Sequence, residues 1–142
     1  MTAKLRKTRK KRRDNPSGKA DTEKKLLGPA DLLPPTPNTF AGPTEYRCEC
    51  GKVTIVFKSE FGNARDLAIT LLNLGDCAIG AQIYTGVADG KPTPAAGSGS
   101  GLAAKNASTS LGGSVPVGGG FMVTCQGDGT GSCRFYWRID KV

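Results

Sequence analysis

From Glu45 onward, outside residues 89–113, apolar residues return at every second position in short runs, and this spacing restricts the fold more than any other feature. Tyr46, Cys48 and Cys50 alternate with Glu45, Arg47 and Glu49, and Val53, Ile55 and Phe57 alternate with Thr54, Val56 and Lys58. Leu67, Ile69 and Leu71 continue the pattern, and Cys77, Ile79, Ala81 and Ile83 form another face. Near the end Phe121, Val123 and Cys125 share a face, and Cys133, Phe135, Trp137 and Ile139 are set against Arg134, Tyr136, Arg138 and Asp140. Successive side chains of an extended chain point to opposite sides, so the pattern predicts about six half-buried strands. Phe61-Gly62-Asn63, Asn73-Leu74-Gly75-Asp76 and Gly118-Gly119-Gly120 supply turns between them. Gly and Pro recur too often for a helix of any length. The expected fold is all-β, a small antiparallel sandwich or jelly roll over residues 45–142. Residues 89–113, rich in Gly, Ser and Ala, are expected to form a flexible loop within it.

The first part of the chain is different in kind. Residues 1–25 hold 11 of the 20 Lys and Arg with only Asp14, Asp21 and Glu23, a net charge of +8, while residues 26–142 sum to zero. All nine Phe, Tyr and Trp lie at or after position 40, so the stretch before it has no large aromatic group to offset the entropy of ordering. Residues 1–25 therefore read as a disordered basic N-terminal arm. Residues 26–44 read as a Pro-rich linker in which Leu26, Leu27, Leu32 and Leu33 form either a spacer or a strip that docks on a neighbouring subunit. Lys4, Arg6, Lys7, Arg9, Lys10, Lys11, Arg12 and Arg13 place eight cations in ten residues. Such a block binds polyanions, nucleic acid first among them, by releasing counterions. No aromatic side chain is interleaved to stack on bases, which argues against sequence-specific recognition.

Catalytic signals are weak. The chain has no histidine, the commonest general base and zinc ligand. Asp66, Asp76, Asp89, Asp128 and Asp140 are scattered near turns with no spacing that pairs them. The glycine string at 97–101 lacks the Lys-Ser/Thr of a phosphate loop, and Gly127-Asp128-Gly129-Thr130-Gly131 has one carboxylate where a calcium loop needs several. No catalytic residue, cofactor or metal is assigned. Asn106-Ala107-Ser108 matches a glycosylation acceptor by chance, and Trp137 is expected to be a core residue.

Cysteine carries more information. Cys48, Cys50, Cys77, Cys125 and Cys133 make an odd count of five. They are either small core residues or disulfide partners; a metal site is disfavoured because Cys48-x-Cys50 is too closely spaced for one tetrahedral ion. In the disulfide reading the seven residues between Cys125 and Cys133 form a hairpin that joins those two, and Cys77 meets Cys48 or Cys50. The thiol left over, Cys48 or Cys50, would then bond between chains.

Residues 53–142 resemble the small jelly-roll subunits of bacterial endospore appendages. The likeness rests on Cys48 and Cys50 before the first strand, a strand pair around 67–84, the Val-Pro-Val-Gly-Gly-Gly turn at 115–120, and a Gly-rich hairpin at 126–132 before the last strand. The resemblance implies that Cys48 or Cys50 bonds to a neighbouring subunit in a covalent fibre. The order of a basic arm before a jelly roll also resembles small icosahedral virus coat proteins, which implies that the block at 4–13 neutralises packaged genome. The expected function is a non-enzymatic structural protein that self-assembles through its β-sandwich as a fibre, shell or particle component, with the arm contacting nucleic acid or neighbouring subunits. The alternative is a monomeric module that binds nucleic acid or another polyanion through the arm. No apolar run reaches the ~20 residues of a membrane span and no secretory signal is read; the localisation is left unknown, with a virion or an extracellular assembly released without a classical signal among the settings considered.

Overall fold

The computed structural model describes residues 28–127 and 130–142; the cations at 4–13, Leu26, Leu27 and Asp128 lie outside the described residues. A single turn of helix, α1 (Pro29–Leu32), precedes eight strands: β1 (Thr39–Cys48), β2 (Val53–Lys58), β3 (Arg65–Asn73), β4 (Ile79–Ala88), β5 (Lys91–Pro94), β6 (Ser108–Val115), β7 (Gly120–Cys125) and β8 (Cys133–Lys141). They form two four-stranded sheets, sheet A in the order β1-β8-β3-β6 and sheet B in the order β2-β7-β4-β5. Every pairing is antiparallel. The chain changes sheet after each strand except between β4 and β5, and this alternation makes the sandwich a jelly roll.

The core follows the alternation of the sequence. Leu67, Ile69 and Leu71 on β3 and Phe135 and Ile139 on β8 meet Ile79, Ala81 and Ile83 on β4 and Phe121 and Val123 on β7, all buried. Removing such surface from water is worth roughly 25 cal/mol per Å² and is the main driving force for closing the sheets. Trp137 packs against this cluster from β8, as expected of a core residue. Tyr136, on the other face of β8, is also buried, between Glu45 and Leu72 and beneath the Arg134 guanidinium 5.6 Å from its ring. Tyr84 is buried too: it crosses Gly120 to donate from its hydroxyl to the Phe57 carbonyl at 3.3 Å. A Cβ at Gly120 would stand 2.9 Å from that hydroxyl and run into the Phe57 backbone, so this glycine serves packing as well as the turn.

The structure departs from the sequence reading at three places. β1 begins at Thr39, inside the stretch expected to be linker. Leu33 is buried, Arg138 Nη1 donates to the Pro34 carbonyl at 2.7 Å, and Phe40 packs edge-on against Phe57 at 5.6 Å. Two register shifts between Thr39 and Thr44 break the alternation that would have revealed the strand. In β2 a bulge between Ile55 and Phe57 turns Val56 and Phe57 toward the core and leaves Val53 and Ile55 exposed at 51% and 37%.

The third departure is the expected flexible loop at 89–113, which holds β5 and most of β6. Asp89 and Gly90, both at positive φ (53° and 76°), make the two-residue turn from β4 to β5, a hairpin signal the sequence reading passed over. Residues 95–103 then run back along β4 as a strap. Ala95 N donates to Ile83 O, Ala81 N to Ser100 Oγ, Ser100 N to Ala81 O, and Ile79 and Ala103 bond each other's backbones in both directions. The Ser side chains stand in for missing backbone partners, so the composition of a loop coexists with an ordered path.

Asn73 holds this strap to the sandwich from a fully buried position. Its Nδ2 donates to the Cys77 and Ala103 carbonyls, both at 2.8 Å, and its Oδ1 accepts from Gly75 N at 2.9 Å. Asn73→Leu would leave the Cys77 carbonyl and the Gly75 N–H without this partner, each at a cost of about 1–3 kcal/mol, and would strip the Ala103 carbonyl to its single bond from Ile79 N. Thermal unfolding followed by circular dichroism should show this variant melting at least about 10 °C below the parent.

Candidate assembly edge and cysteine cluster

A β-sandwich has four edge strands, and each exposes a row of backbone groups able to pair with another chain. Three of the four carry guards. β1 contains Pro43 and the two register shifts, β2 is bulged before Phe57, and β5 has Pro92 and Pro94 in four residues. β6 has none of these. It pairs with β3 over all eight residues without a register shift, and its sequence, Ser-Thr-Ser-Leu-Gly-Gly-Ser-Val, holds neither proline nor charge. Its small side chains have a structural origin: a Cβ on Gly113 would press on Ile83 Cδ1 at 2.9 Å across the sandwich. The same smallness leaves the outer edge open to a further strand. Sequence reasoning missed β6 because a strand of Ser, Thr and Gly shows no apolar alternation.

All five cysteines meet at one end of the sandwich. Cys48 and Cys133 stand opposite each other in the β1–β8 register and form a disulfide with Cα atoms 5.1 Å apart. Cys50 and Cys77 form the second, with Cα atoms 6.1 Å apart. Cys125 is the free cysteine, and it is buried. The expected Cys125–Cys133 hairpin bond is therefore corrected, and so is the expectation that Cys48 or Cys50 is left unpaired; Cys77 does meet Cys50. The physical reason is topological. β7 and β8 belong to different sheets, so the chain crosses from one sheet to the other after Cys125 instead of closing a hairpin, and Cys133 finds its register partner on β1. The crossing packs on the second disulfide: a Cβ on Gly127, at φ +133°, would lie 3.2 Å from Cys77 Sγ. Cys125 lies close to both bridges, within 4.8 Å of the sulfurs of Cys48 and Cys133 and of those of Cys50 and Cys77. Burial pushes its thiol up from the ordinary value, with the Gly51 backbone acting in the opposite direction.

Three of the described carboxylates, Glu45, Asp76 and Asp140, are engaged in holding the fold. Glu45 accepts from Arg134 Nε at 2.9 Å and Arg47 Nε at 2.7 Å, and Arg134, then Arg47, draws its pKa down. Asp76 joins two turns, accepting from Lys105 Nζ at 3.2 Å and Ser132 Oγ at 3.0 Å, and these bonds lower its pKa. Asp140 accepts from Thr39 Oγ1 and, at 3.1 Å, from Arg138 Nε. A groove of about 440 Å³ on the outer face of sheet B is lined by Val53, Gln82, Lys91, Pro92, Pro94 and Met122 among others, with Lys91 its one charge. A second, of about 360 Å³, lies where Arg65, Asp66 and Lys141 meet. Neither brings two side-chain carboxylates together.

The bridges differ in the length of chain they close, 85 residues for Cys48–Cys133 against 27 for Cys50–Cys77. Loop-closure entropy makes them worth about 4.5 and about 3.5 kcal/mol. Denaturant titration should therefore rank the double variant Cys48→Ser/Cys133→Ser as less stable than Cys50→Ser/Cys77→Ser. No protein-family model and no curated protein matches this chain, so its function is read from its own residues.

Proposed function

We propose that this protein is a non-enzymatic structural subunit that self-associates through its jelly roll, with the basic arm contacting nucleic acid or neighbouring subunits. The observation that carries the reading is β6, an eight-residue edge with no proline, charge or bulge. Strand addition at such an edge supplies affinity through main-chain hydrogen bonds and asks only that side chains not obstruct approach. Val53 and Ile55, exposed on the rim of the other sheet, add apolar surface for contact between copies. The charge distribution divides the labour: a net charge of +8 in residues 1–25 suits polyanion contact, and the neutral remainder does not repel its own copies.

Two lysines on the exposed side of β6 test the edge. On nuclease-treated protein, light scattering after size exclusion should show the parent above its monomer mass of 14.8 kDa. Ser110→Lys/Ser114→Lys should weaken association at least tenfold. A parent chain that remains monomeric would sink self-association.

Removing residues 1–25 tests the arm. The shortened chain should keep self-association and lose nucleic-acid retention, and the parent's binding should fall steeply with salt. If truncation instead abolishes association, the contacts between copies lie in the arm and not in the sandwich.

A further inference from the structure

Four of the five clustered cysteines are paired, and the fifth is not set apart from them. Cys125 Sγ lies within 4.8 Å of both sulfurs of each bridge. A thiolate attacks a disulfide sulfur, forms a new bond to it and expels the other sulfur as a thiolate. Cys125 is placed for that reaction on two sides at once.

We infer that Cys125 is an exchange nucleophile and that Cys48 is a covalent modification site reached through it, open to low-molecular-weight disulfides. Cys125 loses its proton to solvent and attacks Cys133 Sγ. The Cys125–Cys133 bond forms, the Cys48–Cys133 bond breaks, and its electron pair leaves on Cys48 sulfur, which takes up a proton. One disulfide replaces another, so the step needs no oxidant or reductant. Cys48 thiolate then attacks glutathione disulfide, giving a Cys48–glutathione mixed disulfide and expelling one glutathione thiolate.

Burial gives the exchange its direction. Cys125 and Cys133 are 1% and 3% exposed, whereas Cys48 is half-buried at the end of β1, an edge strand. Exchange exports the odd thiol from the core to the rim, where a leaving thiolate is better solvated. The new bond closes only the seven residues between Cys125 and Cys133, of which Gly127 and Gly131 already take positive φ. The geometry also holds the reaction back. Cys125 is tied by its backbone to Gly51 and Lys52, and burial keeps its thiol protonated at neutral pH. The sulfurs around it do not titrate while bonded, and Glu49, Lys52 and Asp76 on the adjoining turns are exposed. Arg134, next to Cys133, is engaged with Glu45. Exchange should therefore follow the thiolate fraction of Cys125, rising roughly tenfold per pH unit from neutrality until the thiol is ionised.

The test uses the full chain, incubated at about pH 7 and about pH 9 with and without glutathione disulfide, then quenched with acid and labelled with N-ethylmaleimide. Cleavage at Glu49 and Asp128 separates Cys48 from Cys50 and Cys125 from Cys133 for mass spectrometry. The expected product at the higher pH is a Cys125–Cys133 peptide with label or glutathione on Cys48, formed at least tenfold faster than at the lower pH. Cys125→Ser should keep Cys48–Cys133 at both pH values; Cys125→Ala, which leaves the position apolar, gives the same readout should the serine variant not fold. Cys48→Ser supplies an independent check, because its oxidised chain should carry Cys125–Cys133. Label on Cys125 alone with Cys48–Cys133 intact would overturn the inference. So would equal rearrangement in the Cys125 variants, or an unpaired Cys133 in Cys48→Ser. A monomer that exchanges would refute self-association and leave the exchange standing.

Discussion

The face-to-face packing of β7 and β8 is the contact on which the rest of the sandwich depends. Each is an inner strand of its sheet, β7 between β2 and β4 and β8 between β1 and β3. Phe121, Val123 and Cys125 of one share a buried core cluster with Cys133, Phe135 and Ile139 of the other, and the Cys125 and Cys133 sulfurs lie within 4.8 Å of each other. With these two strands fixed across the core, every other strand has a neighbour to add to directly or at one remove. Where the chain crosses from β7 to β8, Gly127 and Gly131 pack against Cys77 and the two disulfides gather. The second bridge and the crossing also bear on Asn73, since Cys77 supplies one of the carbonyls that Asn73 binds. Strap, turns and bridges thus form a single polar and covalent frame around one end of an apolar core.

What the sequence made legible follows from this arrangement. β3, β4, β7 and β8 set apolar residues toward the core at alternate positions, Leu67, Ile69, Ile79, Ala81, Phe121, Val123, Phe135 and Ile139 among them, which is why the spacing finds them, although Tyr84, Met122 and Tyr136 on the opposite faces are buried too. Edge strands obey other demands. β2 reverses its faces at a bulge, β5 is half proline, and β6 is built of residues small enough to sit over Ile83. β5 and β6 leave no apolar period, the period of β2 names the wrong inward face before its bulge, and the two strands hidden in the stretch expected to be a loop are both edges. The Asp89-Gly90 turn was the one local signal that could have revealed them. The cysteines were recognisable as the informative residues, but their pairing was not. Cys48 and Cys133 meet because of a register between strands 85 residues apart, and register is a tertiary fact that spacing does not encode.

The edges also limit what the sandwich can build. A strand edge that pairs with its own copy does so about a two-fold axis, and the contact then closes on itself. With β6 as the one unguarded edge among the described residues, strand addition alone yields pairs. Growth into a fibre, shell or particle needs a second, different contact. The chain offers two features suited to it, the exposed Val53 and Ile55 on β2 and the concentrated positive charge of residues 1–25. They differ in physical character. Apolar contact strengthens with salt-induced exclusion, whereas polyanion contact weakens as salt rises. Under the proposed self-association, the salt dependence of any particle larger than a dimer would distinguish which of the two contacts extends the pair.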